Sequence, residues 1–136
     1  MDRTQLRPEN HSPADHVDRI REDWVRTYPT LDTGPLDVIG RIRRIGTVVF
    51  GRLDAELTLS GVTRPEFDIL CALARSRHAL RAGDLAAETG LSGASITKHA
   101  EQLVTLGHVA RVRHARDGCV VLLALTDTGR DLVETE

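Results

Sequence analysis

The most informative part of the chain is Ala82–Leu125, with the sequence AGDLAAETGLSGASITKHAEQLVTLGHVARVRHARDGCVVLLAL. It begins with a short helical pattern that ends at Gly90, and a second helical pattern occupies Gly93–Leu106. Two β-rich runs follow, Val109–Arg113 and Cys119–Leu125, around a polar tip. This order of elements predicts a helix-turn-helix followed by a β-wing, in a chain that is otherwise mainly α-helical.

The turn between the two helices has the residues that a tight helix crossing requires. Gly90 supplies a left-handed backbone conformation, and Ala86, four residues earlier, presents only a methyl group at the crossing. Ser92 is placed to cap the start of the second helix, and Gly107 to end it. The second helix therefore has well-marked ends and a small-residue start that allows a close approach to a DNA duplex.

One face of this second helix is predicted to contact DNA. Ile96, Ala100 and Leu103 share a face and are expected to pack inward, which leaves the opposite face outside. Polar side chains on an exposed helix can bind base edges or phosphates in a major groove, although a merely solvated face has the same composition. The residues predicted to contact DNA are Ser92, Ala94, Ser95, Thr97, Lys98 and Gln102 on the helix, with Arg113 and Arg116 at the wing tip.

Composition restricts the function without deciding it. The 136 residues carry a formal net charge of −2, with a basic middle and acidic ends, which neither demands nor forbids DNA as a partner. No apolar run is long enough for a membrane span and no signal peptide is visible, so a reducing cytoplasm is expected. The histidines and cysteines lack the spacing of metal ligands, so no metal site is expected. The sequence shows no catalytic or cofactor-binding motif, so neither enzyme activity nor a cofactor is expected.

The pattern along the chain predicts four segments. Residues 1–11 form a polar arm, and residues 12–60 hold N-terminal helices, the first starting at Ser12 and Pro13 and the second covering about 36–58. Residues 61–125 form the winged helix-turn-helix, with a capping box at Thr63 and Glu66 before a helix over about 65–75. Residues 126–136 form a short last helix.

The chain resembles the MarR (multiple antibiotic resistance regulator) family of winged-helix transcriptional repressors. The resemblance implies a homodimer, joined through its N- and C-terminal helices, that binds a palindromic operator in double-stranded DNA and is released by a small anionic metabolite. The residues that carry the resemblance are Asp84-Leu85-Ala86, Gly90-Leu91-Ser92, Ile96-Thr97-Lys98, Leu103, Leu106-Gly107, Val109 and the run Leu123 to Arg130.

The front of the chain contains Trp24, then Tyr28-Pro29-Thr30-Leu31-Asp32-Thr33 and Ile39-Gly40-Arg41-Ile42. With these residues it resembles the urate-responsive and PecS branch of that family, which has an additional N-terminal helix. In that branch a tryptophan, two acids and an arginine are associated with the ligand pocket. The resemblance assigns these positions to Trp24, Asp68, Asp84 and His99. The histidine departs from the family's arginine, but it still holds an anion when it is protonated, so a urate-like or carboxylate effector is expected.

Each of these four residues also has an ordinary structural interpretation. Trp24 can belong to a core or an interface, and Asp68 can pair with a neighbouring arginine. Asp84 can simply favour the start of a helix through its dipole, and His99 can be a structural histidine beside the packed face.

A second class of function also fits the sequence. A winged helix can serve as a protein-interaction module, and cysteines beside cations can sense oxidants. The candidates for the oxidant-sensing alternative are Cys71 and Cys119, the latter beside the arginines of the wing.

Overall fold

The computed structural model describes residues 15–136 and shows a mainly α-helical chain with one small sheet. This confirms the predicted fold class. The described residues divide into a first unit that ends at Phe50 and a second unit, Gly51–Glu136, whereas the four-segment division stays a prediction. The elements in chain order are α1 (His16–Thr27), α2 (Gly34–Leu59), α3 (Arg64–Ser76), α4 (Ala82–Thr89), α5 (Gly93–Thr105), β1 (Val109–Arg113), β2 (Val121–Leu125) and α6 (Asp127–Thr135).

Helix α1 begins with a reciprocal cap. The Asp15 carboxylate accepts hydrogen bonds from the backbone N–H groups of Val17 and Asp18, at 2.8 and 3.0 Å. In return, the Asp15 N–H donates to the Asp18 carboxylate at 3.1 Å. The cap predicted at Ser12 lies outside the described residues. Asp15 is the N-cap of α1, because Asp18 three residues later completes a capping box.

Within the first unit, Arg41 of α2 joins that helix to the start of α1. Its guanidinium contacts Asp18 at 2.9 Å and Asp15 at 3.4 Å, and it also pairs with Asp37 of its own helix. Gly40 lies so close to Val17 that an added Cβ would stand 2.9 Å from a Val17 methyl group. A glycine and an ion-pair cluster therefore allow the two helices to pack closely.

The second unit is built around α3. Its apolar residues follow a helical spacing that turns one broad face inward, and the two helices of the helix-turn-helix pack on that face. Because the core has few aromatic residues, aliphatic side chains fill it. The most deeply buried members are Leu57, Ile69, Leu70, Leu73, Leu85, Ile96 and Leu103.

The wing is an antiparallel hairpin in which Val109 pairs with Leu125 and Arg113 pairs with Val121. The second strand starts two residues later than the predicted Cys119, because the Cys119 N–H donates to the Asp117 carboxylate within the turn, at 3.1 Å. Leu80 adds an isolated β-bridge to β2. Leu80 exchanges two backbone hydrogen bonds with Leu123, at 2.8 and 2.9 Å.

The end of α5 is tied to the start of α6. The hydroxyls of Thr126 and Thr128 both donate to the Gly107 carbonyl, at 2.6 and 2.8 Å. Gly129 is buried at this junction, and a Cβ on it would lie 2.2 Å from the carbonyl oxygen of His108. The threonine-glycine sequence that opens α6 is thus required by the close contact between the two segments.

We expect Gly129→Ala to lower the free energy of unfolding by about 2 kcal/mol or more, because the backbone must shift to admit the methyl group. Urea denaturation followed by circular dichroism measures the change. Gly83→Ala is the matched control, since a Cβ on this helical glycine meets no atom within 4 Å. It should leave stability unchanged or raise it by at most about 1 kcal/mol. Equal midpoints for the two variants would contradict the steric argument.

Candidate nucleic-acid interface

The turn of the helix-turn-helix has the predicted geometry. Gly90 adopts a left-handed conformation with φ of 73°, and its N–H donates to the Ala86 carbonyl at 2.9 Å. Ser92 caps α5 by accepting from the Ser95 N–H at 3.2 Å. The inward face of α5 is buried as expected, so its opposite face is available to a partner.

The residues predicted to contact DNA lie on the surface, and their DNA contacts stay predictions. Lys98 and Gln102 are exposed on α5, as are Ser92, Ala94 and Thr97, whereas Ser95 is half-buried. The hydroxyl of Thr97 donates to the Gly93 carbonyl at 3.1 Å, so its proton is already used within the helix. Lys98 and Gln102 therefore retain the most reach toward a duplex.

The wing tip is held by a histidine that the sequence did not single out. The Nδ1 atom of His114 accepts hydrogen bonds from the backbone N–H groups of Arg116 and Asp117, at 3.2 and 3.3 Å. An imidazole Nδ1 accepts hydrogen bonds only when it carries no proton, so these two contacts use the ring nitrogen as an acceptor. His114 thus shapes the turn that presents the exposed side chains of Arg113 and Arg116.

The four residues predicted to bind an effector are distributed over both units. Trp24 belongs to the first unit, where its ring centroid lies 5.7 Å from that of Tyr28 and its side chain is 43% exposed. Asp68 is exposed on α3; partial burial raises the pKa of its carboxyl, although Arg64 and Arg75 act in the opposite direction. No ligand contact of these residues is tested by the geometry, so the effector role stays a prediction.

Asp84 and His99 each have a structural partner. The Asp84 carboxylate accepts from the Arg81 N–H at 3.2 Å and so caps α4. His99 is half-buried on α5, and its Nδ1 lies 3.2 Å from the carboxylate of Glu66 on α3. A cleft of about 520 Å³ beside α4 contains Asp84 but is lined by neither Asp68 nor His99; its lining is Ala72, Arg75, Ser76, His78, Leu80, Asp84 and Glu88.

Both cysteines are free thiols in the described chain. Burial raises the pKa of the Cys71 thiol, which lowers the fraction of reactive thiolate and disfavours it as an oxidant sensor. Cys119 is exposed on the wing. Residues 15–136 contain no cluster of three or more potential metal ligands, and none of their helices is long and apolar enough to cross a membrane.

Comparison with known proteins assigns the helix-turn-helix and its wing. The sequence profile described as the MarR family matches residues 60–118, which include α3, α4, α5, β1 and the wing tip. This segment of the chain is similar to the MarR family. The match confirms the resemblance found in the sequence, and the chain's helix-turn-helix is that of a DNA-binding transcriptional regulator.

Proteins similar to this chain include PecS of Dickeya dadantii, which is 27% identical over 119 residues that cover 86% of this chain and 72% of PecS. The structure of Bordetella bronchiseptica BpsR, whose DNA binding is regulated by 6-hydroxynicotinic acid, is 27% identical with a TM-score of 0.61, covering 73% of this chain and 68% of BpsR. Sco5413, a MarR-family regulator of Streptomyces coelicolor, is 26% identical with a TM-score of 0.65, covering 74% and 70%.

We expect His114→Ala to loosen the tip of the wing, because two backbone N–H groups lose their acceptor. Amide hydrogen exchange measured by NMR should become faster at Arg116 and Asp117 than in the wild-type protein. His114→Asn is the matched control, since its side-chain oxygen can accept from nearby backbone N–H groups. Unchanged exchange in the alanine variant would show that His114 does not shape the turn.

Proposed function

We propose that the chain is a cytoplasmic, ligand-responsive transcriptional repressor that binds a palindromic operator as a homodimer. The observation that carries the proposal is the exposed face of α5, which presents Lys98 and Gln102 beside a start made of small residues. The buried side chains of the same helix hold it against the second unit's core. A helix anchored in this way on one side is suited to enter a major groove with the other.

Two copies would place α5 in two successive major grooves. In a symmetric dimer the half-sites are separated by about one helical turn, roughly 34 Å, and the operator repeats the protein's two-fold symmetry. The wings would then lie over the flanking DNA, where Arg113 and Arg116 can approach phosphates or a minor groove.

The first unit supports the homodimer. Its part of α2 carries a row of large aliphatic side chains that the described chain leaves open to solvent, with Ile39 62% and Ile42 65% exposed. Ile45 and Val49 continue the row. Apolar patches of this kind mark interaction surfaces in soluble proteins, and a second copy presenting the same helix would cover it.

We also propose that an anionic metabolite lowers the affinity for the operator. The relative BpsR, whose DNA binding responds to an aromatic acid, supports an effector of this class. The proposed contacts are Trp24, Asp68, Asp84 and His99, with the histidine supplying positive charge when it is protonated. An effector that favours an arrangement in which the two α5 helices do not match their half-sites reduces DNA binding through a coupling free energy.

The DNA-binding proposal is tested with Lys98→Ala. A duplex selected from a random library by the wild-type protein serves as the operator, and binding is measured by fluorescence anisotropy at several salt concentrations. We expect the affinity to fall about three- to tenfold and the salt slope to fall by about one, because one phosphate contact is lost. Native mass spectrometry of the wild-type complex should show two chains of 15.0 kDa per duplex.

Arg130→Ala is the matched control for Lys98, because Arg130 is an exposed cation on α6 rather than on α5. It should leave both the affinity and the salt slope close to the wild-type values. Selection that enriches no duplex would overturn the proposed function. An operator that Lys98→Ala binds with unchanged affinity and slope would remove only Lys98 from the interface.

The effector proposal is tested through Trp24, which is the chain's single tryptophan. Titration with a panel of purines, aromatic acids and aliphatic carboxylates should change its fluorescence for at least one class of anion, with saturation. The same compound should release the selected duplex, and Asp68→Ala should weaken its binding. A panel that leaves both fluorescence and DNA affinity unaltered would contradict an anionic effector.

A further inference from the structure

A buried hydrogen bond between two side chains links α3 to α5. Oε1 of Glu66 lies 3.2 Å from Nδ1 of His99, across 33 positions of sequence. Only 6% of the Glu66 side chain and 16% of the His99 side chain are exposed. The other carboxylate oxygen of Glu66 accepts from the Thr63 N–H at 2.8 Å, at the start of α3.

The chemistry of the pair defines where the proton lies. An ionised carboxylate only accepts hydrogen bonds, so the Nδ1–H of His99 donates to Glu66. A buried carboxylate requires hydrogen-bond partners, because removing the charge from water without them is energetically costly. Since Thr63 holds one oxygen of Glu66 against the backbone of α3, the other oxygen is a fixed point to which His99 connects α5.

The apolar contacts of α5 with the core do not provide such a fixed point. Ile96, Ala100 and Leu103 bury apolar surface, and the hydrophobic effect that holds them is non-directional. A helix with side chains has a radius of about 5–6 Å, so a rotation of roughly 20° about its axis moves the outer side chains by about 2 Å. Hydrogen bonds to bases tolerate only a few tenths of an ångström.

We propose that Glu66 and His99 are positioning residues that set the rotational orientation of α5 and thereby the alignment of its outer face with base edges. This inference rests on the proposed DNA-binding function, and it requires no effector. His99 directly follows Lys98 in the sequence. A contact that fixes the orientation of His99 therefore also restrains the backbone that carries Lys98. Glu66, expected from the sequence only to cap α3, then has a second role 33 residues away.

The test compares specific with non-specific DNA binding by the full chain without effector. The probes are the duplex selected by the wild-type protein and a scrambled duplex of equal length and charge. His99→Leu keeps the cap of Glu66 on α3 but removes the link to α5. We expect its ratio of specific to non-specific affinity to fall about tenfold or more, because base contacts depend on alignment while phosphate contacts do not.

Glu66→Gln is the conservative variant. Its amide oxygen can accept from Thr63 while its NH₂ group donates to His99 Nδ1 in the other tautomer, so the geometric link is kept without the charge. We expect this variant to keep the wild-type specificity ratio to within about threefold. Glu88→Gln is the matched control, because Glu88 forms an exposed ion pair with Arg75 of α3, at 3.8 Å. Its ratio should equal that of the wild-type protein.

Circular dichroism and thermal unfolding show whether each variant is folded at the assay temperature. If His99→Leu does not fold, Glu66→Gln/His99→Leu replaces it, since an unpaired amide is less costly to bury than an unpaired carboxylate. A folded variant without the link that keeps the wild-type ratio overturns the positioning role. A wild-type protein that selects no duplex overturns the DNA-binding function instead, so the two failures are distinct.

Discussion

Apolar packing between α3 and the helix-turn-helix is the interaction on which the second unit depends. Ile69 and Leu73 of α3 are buried in one cluster with Leu85 of α4 and Ile96 and Leu103 of α5. The cluster brings together helices that are each too short to be stable alone in water. Because the helices share this core on one side, the outer face of α5 is presented to solvent as a rigid surface. Polar contacts at the edges of the core contribute to the position of α5.

Much of this unit could be predicted because its signals are local. Gly90 is needed for a left-handed residue, Ser92 caps the next helix, and the spacing of Ile96, Ala100 and Leu103 defines a buried face. These choices depend on neighbours within a few residues, which the sequence displays directly. The MarR resemblance rested on the same residues, and the family match over 60–118 confirmed it.

Other features depend on contacts between residues that are far apart in the chain, and these contacts could not be predicted from the sequence. The pairing of Glu66 with His99 and the bridge between Leu80 and Leu123 join separate elements. The exposure of Ile42 on α2 was also beyond the sequence, because helical periodicity shows only that residues share a face and not what covers that face.

The junction at Gly107 has a mechanical consequence. The Gly107 carbonyl, just beyond the end of α5, accepts hydrogen bonds from the hydroxyls of Thr126, the N-cap of α6, and Thr128, and Gly129 leaves no gap between the two segments. Because the two segments are in direct contact, a tilt of one is transmitted to the other. Movement of α6 relative to the core is therefore passed directly to the end of α5, over a distance of a few ångströms and without an intervening flexible loop.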